Sequence, residues 1–196
     1  MKDYIDARLR RAVEVLVALE ADAGIRDQLA LCATRCIAAI DAGGKLLLAG
    51  NGGSAADAQH IAAEFVSRFA FDRPGLPAIA LTTDTSILTA VGNDYGYETL
   101  FARQIQALGR SGDVFIAYST SGRSPNGRAG LREAQARGLF RIGLTGIGPG
   151  AELMAPLCDV LLRVPSTDTA EIQQGHAVLG HILCGLVEDA VFARRG

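Results

Sequence analysis

The chain has 196 residues, of which 49% are hydrophobic and 20% are charged, and its formal net charge is −2. A chain of this size and apolar content can bury one substantial core, so we expect one domain spanning residues 1–196. The balanced charge gives no electrostatic basis for binding nucleic acid or a membrane surface. The start of the chain lacks the apolar core of a signal peptide, and no apolar run reaches the ~18 residues that span a bilayer. We therefore expect a cytoplasmic protein whose four cysteines are free thiols.

Residues 1–43 are predicted to form two helices that divide near residues 22–24. Apolar residues recur at intervals of three and four along both segments, as at Ile5, Leu9 and Leu16 in the first and Cys32, Cys36 and Ile40 in the second. Acidic and basic residues are nearly balanced here. We therefore predict a helical arm that packs on the rest of the chain or forms an oligomer, and not a DNA-binding segment.

Residues 44–196 change to short apolar runs that alternate with amphipathic segments. The runs at 45–49, 78–81, 114–118, 141–144 and 160–164 predict strands, and the segments at 54–69, 97–109, 125–137 and 168–194 predict helices. Such apolar strands, alternating with helices, indicate a five-stranded parallel sheet covered on both faces. We predict an α/β fold, a doubly wound three-layer αβα sandwich, with its ligand crevice at the carboxyl ends of the strands.

The loop after the first predicted strand has the composition of an anion site. Gly50, Asn51, Gly52, Gly53 and Ser54 separate a buried strand from a segment with helical periodicity. Glycines allow the backbone to come close to a ligand, and the free N–H groups at the start of a helix point toward a negative group. The loop therefore predicts a phosphate-binding turn.

A second loop of this kind follows the third predicted strand. Ser119, Thr120, Ser121 and Ser124 provide hydroxyls immediately before Pro125, which is typical of the first turn of a helix. Hydroxyl donors beside a helix N-terminus form a phosphate nest, and the lysine of a nucleotide-binding P-loop is missing. An ordinary serine-rich turn is the alternative interpretation. Because two such loops occur, we favour a sugar phosphate over ATP as the ligand.

Other loops carry weaker signals. Residues 82–86 are predicted to form a turn with a helix N-cap. Asn93 and Asp94 are predicted to lie in a loop before another helix, where a turn role and a ligand role are equally open. The glycine-rich residues 145–150 predict a surface connection.

His60 and Glu64 are four residues apart and so share one face of a helix. They form either a solvated polar pair or part of a metal site. The last predicted helix adds Gln173 and His181, and histidine and oxygen ligands suit zinc. Eight residues of regular helix between Gln173 and His181 correspond to roughly 12 Å of rise and about 80° of rotation. Either the helix starts irregularly, or a neighbouring subunit helps to close the site.

Taken together, residues 50–60, 92–97, 119–122 and 173–181 resemble the bacterial phosphoheptose isomerases, which are single-domain sugar isomerase (SIS) proteins. The resemblance implies interconversion of sedoheptulose 7-phosphate and D-glycero-D-manno-heptose 7-phosphate, the first step of ADP- or GDP-heptose biosynthesis for lipopolysaccharide or capsule. It also implies a cytoplasmic homotetramer with active sites between subunits, and one zinc ion per subunit. The implied zinc ligands are His60, Glu64, Gln173 and His181.

The resemblance also assigns the substrate contacts and suggests the catalytic pair. The implied contacts are Asn51, Gly52, Gly53, Glu64, Asn93, Asp94, Ser119, Thr120, Ser121, Ser124 and Gln173. A ketose-to-aldose shift needs a base at carbon and a proton donor at oxygen, and we assign these roles to Glu64 and His181. Arg123, Glu171 and Gln174 depart from the residues common in the family, which bears on substrate preference and not on the reaction.

Two alternatives stay open, one from another class of protein and one that is also an isomerase. A non-catalytic SIS protein that binds a replication-initiator partner would have no need of His60, Glu64, Gln173 and His181 together. An isomerase of another phosphosugar would use the same phosphate loops.

Overall fold

Five parallel strands form one sheet in the order β2-β1-β3-β4-β5, in a computed structural model that describes residues 1–193. The strands are β1 (Leu46–Ala49), β2 (Ala78–Ala80), β3 (Val114–Tyr118), β4 (Phe140–Gly146) and β5 (Val160–Val164). The predicted sheet is therefore confirmed in strand number and direction. The strand order reverses between β1 and β3, where a doubly wound sheet opens its ligand crevice.

Both faces of the sheet are covered because its strands are apolar on both sides. In β1, Leu46 and Leu48 pack into one core cluster, whereas Leu47 and Ala49 pack into the other. Leu46 is level with Val114 of β3 in the parallel register, so the two strands end at the same edge of the sheet. The loops that follow β1 and β3 are consequently neighbours.

The helices form two outer layers. One layer contains α1 (Lys2–Ala21), α2 (Ala23–Asp41), α3 (Gly53–Val66) and α8 (Thr169–Ala193). The other contains α4 (Thr85–Tyr95), α5 (Leu100–Leu108), α6 (Pro125–Ala136) and α7 (Ala151–Met154). Single 3₁₀ turns occupy Tyr97–Thr99 and Ala155–Leu157. The three-layer sandwich is thus confirmed, and Arg194, which the prediction placed in the last helix, lies outside the described residues.

The N-terminal arm is joined to the start of α8 by ion pairs. Arg8 donates to Asp168 at 3.0 and 3.2 Å, and both Arg8 and Arg11 approach the buried carboxylate of Glu171 at 3.4 Å. Only Val15 and Leu19 of α1 are buried. Much of the predicted apolar stripe of α1 is therefore exposed in the single chain.

The prediction that Asn93 and Asp94 lie in a loop is wrong, because both belong to α4. The helix begins where expected: the side chain of Asp84 accepts the N–H of Ile87 at 2.9 Å as an N-cap. It then continues through residues 92–95 and ends only at Gly96, whose φ is +88°. The Gly-Asn-Asp composition favoured a turn, but Gly92 adopts helical geometry and the left-handed glycine comes four residues later.

Helix α8 is long and apolar enough to meet the length and composition test for a membrane span, and it is the only such helix among residues 1–193. Its buried side packs on α2, α3 and the sheet, as expected of a core helix in an α/β domain.

Candidate active site

The turn after β1 is too tight for a side chain at its first residue. A Cβ at Gly50 would overlap the backbone of Ser54, and Gly52 has φ +58°. The chain thereby enters α3 at Gly53 directly from the end of β1. This is the strand-to-helix turn that the sequence predicts.

Two asparagines join the loop after β1 to the start of α6. Asn51 and Asn126 exchange hydrogen bonds between their side-chain amides at 2.8 and 2.9 Å, and Asn126 is 2% exposed. The hydroxyl of Tyr97 donates to Asn51 Oδ1 at 3.0 Å. Sequence reasoning missed Asn126 and Tyr97 as parts of the site, although Asn126 directly follows the predicted first residue of its helix. The loops after β1 and β3, which the sequence predicts to bind phosphate, are therefore fixed beside each other.

The hydroxyl loop after β3 is ordered by its own side chains. Ser119 and Ser124 are 3.1 Å apart between their Oγ atoms, and Ser121 Oγ accepts the N–H of Arg123 at 3.2 Å. Gly122 has φ +65° and lies against the backbone of Gly150, so no larger residue fits there. Ser119 is buried whereas Ser121 is exposed, which gives the loop a hydroxyl-lined outer face beside the N-terminus of α6.

Further along α3, three predicted metal ligands converge within one chain. His60 Nε2 lies 2.7 Å from His181 Nε2 and 3.6 Å from Glu64 Oε1. One ligand atom from each of His60, Glu64 and His181 lies within 4.8 Å of the others. The ring of Phe69 stacks on that of His181 with centroids 5.8 Å apart. Two imidazoles and a carboxylate are a donor set that suits zinc, so these three residues fit the expected ion.

Gln173, the fourth predicted ligand, lies near the start of α3 and not near His60. Its side-chain amide occupies the space that a Cβ on Gly53 would fill, at the first turn of α3. Gly53 precedes His60 by two helical turns, which is about 10 Å of rise. Helix α8 is continuous from Thr169 to Ala193, so the irregular helix start considered from the sequence is wrong.

Asn93 and Asp94 stand apart from the loops and the histidines in the bonds that the structure shows. Both are exposed near the end of α4, and Asn93 Nδ2 donates to Asp94 Oδ1 at 2.7 Å. Tyr97, four residues after Asn93 and three after Asp94, is the point at which this segment touches the site.

Asp57, Tyr118 and His176 have buried polar side-chain atoms. Burial raises the pKa of Asp57 to about 6, against the smaller opposing effect of His60. The pKa of His176 is lowered to about 4, chiefly because burial disfavours its charged form. The rings of Tyr118 and His176 are in edge contact at 5.8 Å, and burial also raises the pKa of Tyr118. The neutral imidazole of His176 therefore belongs to the core and not to the exposed cluster.

Comparison with known proteins gives one consistent answer. Residues 9–146 match the SIS domain. The chain is 63% identical to the phosphoheptose isomerase of Burkholderia pseudomallei (strain 1710b) over 192 residues, covering 98% of this chain and 96% of that protein. It is 54% identical to the phosphoheptose isomerase of Aneurinibacillus thermoaerophilus over 195 residues, covering 100% and 98%. The solved structure of the enzyme from Neisseria gonorrhoeae superposes with a TM-score of 0.88 at 39% identity, covering 96% and 98%.

The doubly wound sheet, its two glycine- and hydroxyl-rich loops and the matching domain define a sugar isomerase fold, which confirms the resemblance seen in the sequence. The chain is also similar, over nearly its full length, to several enzymes of one kind, and this similarity identifies the family within that class. The chain belongs to the phosphoheptose isomerase family of SIS domain proteins and is an isomerase.

Proposed function

We propose that this enzyme interconverts sedoheptulose 7-phosphate and D-glycero-D-manno-heptose 7-phosphate, as the first step of ADP- or GDP-heptose synthesis for lipopolysaccharide or capsule. The proposal rests on the convergence of His60, Glu64 and His181, two of them on the helix that starts at the loop after β1, which is itself joined to the loop after β3. A protein that only bound a partner would have no use for this cluster. The relatives named above are all enzymes of this kind, which disfavours the replication-initiator alternative.

In the proposed mechanism the hydroxyls of Ser119, Thr120, Ser121 and Ser124 hold the phosphate, and Asn51, Gly52 and Gly53 provide further contacts to the substrate. Holding the remote phosphate orients the reacting carbons, so that binding energy contributes to the rate. Gln173 reaches the first turn of α3 and is proposed to contact the sugar. We keep Asn93 and Asp94 as proposed contacts on the basis of the family resemblance alone.

Glu64 is proposed to move the proton between the two carbons through an enediol, and His181 to move protons at the oxygens. Glu64 Oε1 faces His60, which leaves the second carboxylate oxygen for the carbon-bound proton. A zinc ion held by His60, Glu64 and His181 would supply Lewis acidity at the substrate oxygens. Gln173, the fourth ligand implied by the resemblance, lies two turns away in its own chain, so it would have to come from a neighbouring copy.

We also propose a cytoplasmic homotetramer with one zinc ion per subunit, sites between subunits, and no nucleic-acid or membrane partner. The exposed apolar residues of α1 and α8 support the assembly: Ile5, Leu9, Val13, Leu16, Val178, Ile182 and Leu186. These side chains line two packed helices, which is the kind of continuous apolar surface that a partner subunit covers. The formal charge of −2 supports the absence of a nucleic-acid partner.

The test is to incubate the purified protein with sedoheptulose 7-phosphate and follow the aldose product by NMR. We expect turnover of this heptulose and much slower turnover of pentose and hexose phosphates. Faster turnover of one of those shorter sugars would identify the other phosphosugar isomerase. No turnover of any sugar phosphate by protein loaded with zinc would refute an isomerase function.

A further inference from the structure

The proposed site depends on how two helices are aligned along their axes. Helices α3 and α8 run side by side in the same direction, with Gly53 against Gln173 and Ile61 against Gly180. His60 consequently lies level with His181. One residue of a helix corresponds to about 1.5 Å of rise, so a slip of a single residue would separate the two imidazoles. Some contact must therefore fix the axial position of α3 relative to α8.

A buried ion pair at the far end of the two helices can do this. Arg73 Nε lies 2.8 Å from Glu188 Oε1, and the two side chains are 2% and 1% exposed. Glu188 belongs to α8, seven residues after His181, and Arg73 follows α3 in the chain. A pair so deeply buried must be satisfied by further hydrogen bonds to be tolerated.

Most of the further hydrogen bonds of this pair go to the backbone at and just after the end of α3; one, from Arg73 Nη1, goes to the carbonyl of Pro74 at 3.1 Å. Arg73 Nη2 donates to the carbonyl of Glu64 at 2.9 Å, and Nη1 donates to the carbonyl of Phe65 at 2.6 Å. Carbonyls in the last turn of a helix have no partner within it, so Arg73 completes the hydrogen bonding of α3 at the catalytic glutamate itself. Through Arg73, Glu188 of α8 is connected to the backbone of Glu64.

The same carboxylate also positions the segment that follows α3. Glu188 accepts the N–H of Phe69 at 2.8 Å and the N–H of Ala70 at 2.7 Å. The ring of Phe69 in turn stacks on His181, at an angle of 26° between the ring planes. Burial opposes ionisation of Glu188, but these two N–H groups and Arg73 outweigh it and lower its pKa. The carboxylate is thus held as an anion.

We infer that Arg73 and Glu188 are positioning residues for the isomerase site: they fix the end of α3 to α8 so that His60 and Glu64 meet His181, and they seat Phe69 against the His181 ring. This inference rests on the proposed function of that site. In the bonds described for residues 1–193, neither side chain bonds to the side chain of His60, Glu64 or His181. Their effect passes through the backbone of Glu64 and the ring of Phe69.

The chain contains a matched control for a purely structural role. Asp113 is also a buried carboxylate that accepts two backbone N–H groups, from Lys45 and Arg110 at 2.9 Å each, and pairs with the Lys45 ammonium at 2.6 Å. It directly precedes β3, at the amino ends of the strands and so at the opposite edge of the sheet from the site. Asp113→Asn therefore removes a similar buried charge without touching α3 or α8.

The experiment compares Glu188→Gln with Asp113→Asn. Zinc affinity is measured by competition with a chromophoric chelator, kcat and KM by the isomerase assay, and the melting temperature on chelator-treated protein. Both variants should melt at lower temperature. Only Glu188→Gln should bind zinc about tenfold or more weakly and lose kcat, the scale seen when residues that orient metal ligands are changed. Asp113→Asn should keep the zinc affinity and kcat of the wild type.

Equal zinc affinity and equal kcat in the two variants, with both destabilised, would overturn the inference. If Glu188→Gln does not fold, Phe69→Leu is compared with Phe71→Leu. Phe71 lies two residues beyond Phe69 in the same segment, but its ring packs on Phe192, whereas that of Phe69 packs on His181. Weaker zinc binding by Phe69→Leu alone supports the inference, and equal binding contradicts it. A wild type that fails to isomerise sugar phosphates would refute the proposed function, while the zinc comparison would still test the positioning.

Discussion

Glu64 is proposed as the catalytic base, so its replacement should separate the requirements of folding from those of chemistry. It is half-buried on α3, its carboxylate faces His60, and its backbone carbonyl is held by Arg73. Glu64→Gln keeps the size of the side chain and the carbonyl contact, so the melting temperature of zinc-free protein should be nearly unchanged. Loss of the base should lower kcat by at least the 10²–10⁴-fold typical of acid–base groups.

The matched change is Glu133→Gln, which alters a partly exposed ion pair with Arg137 on α6. Partly exposed ion pairs contribute little to stability, so Glu133→Gln should leave kcat unchanged. A Glu64→Gln enzyme with most of its rate would remove Glu64 from the catalytic role.

His176 and Asp57 should give opposite pH dependences of stability. The pKa of buried His176 is lowered to about 4, so the unfolded chain takes up that proton first, and stability is lost as pH falls from about 6.5 toward 4. The pKa of Asp57 is raised to about 6, so its contribution is lost as pH rises from about 4 to 6. The unfolding free energy of His176→Gln, relative to that of the wild type, should therefore rise by up to about 3 kcal/mol as the pH falls from 7 to 4.

Denaturant unfolding at a series of pH values measures this difference. Asp57→Asn is the internal check, because its unfolding free energy should fall relative to that of the wild type over the same decrease in pH. A difference between His176→Gln and wild type that does not change with pH would contradict the assignment of a buried neutral imidazole.

At the level of the elements, Gly180 permits the close approach of α8 to α3. A Cβ at position 180 would lie 2.7 Å from Ile61 Cδ1 and 2.9 Å from Ile61 Cγ1. Gly180→Ala should force the helices apart next to His181, costing about 1–3 kcal/mol as other overpacked cores do. We expect a lower melting temperature and weaker zinc binding.

Combining Gly180→Ala with Ile61→Val should restore part of the melting temperature and part of the zinc affinity, because valine lacks the Cδ1 atom that makes the closest contact. Gly148→Ala, where nothing lies within 4 Å of a new Cβ, serves as the neutral comparison. A double variant no better than Gly180→Ala alone would show that Ile61 is not the obstacle.

The elements also show how far sequence alone reaches. The spacing of four residues on a helix predicted that His60 and Glu64 share one face. The rule that parallel strands end at one edge predicted that the loops after β1 and β3 are neighbours. The Arg73–Glu188 pair could not be found this way, because its residues are 115 positions apart and neither period nor motif connects them. Asn93 was misplaced because local turn composition was outweighed by a helix that had already started at an N-cap.

At the level of the whole molecule, the exposed apolar side of α1 predicts assembly. Leu9 and Val13 are 63% and 59% exposed on one side of this helix. A double change, Leu9→Glu with Val13→Glu, would place two charges in the proposed interface and should dissociate the oligomer. Sedimentation velocity should then show smaller species. Activity should fall as well, because the sites are proposed to lie between subunits.

Leu153→Glu is the matched control, since Leu153 is 49% exposed but lies on α7 in the other helix layer. It should keep the sedimentation coefficient of the wild type. An unchanged coefficient for the α1 double variant would mean that this surface is not the interface.

The two loops that meet at Asn51 and Asn126 lead into different helix layers: α3 lies on one side of the sheet and α6 on the other. A sugar phosphate that touches both loops would therefore link the layers across the central strands. Its binding should slow amide hydrogen exchange on both sides of the sheet, including at positions far from any atom of the ligand. Protection on one side alone would mean that the ligand engages only one loop.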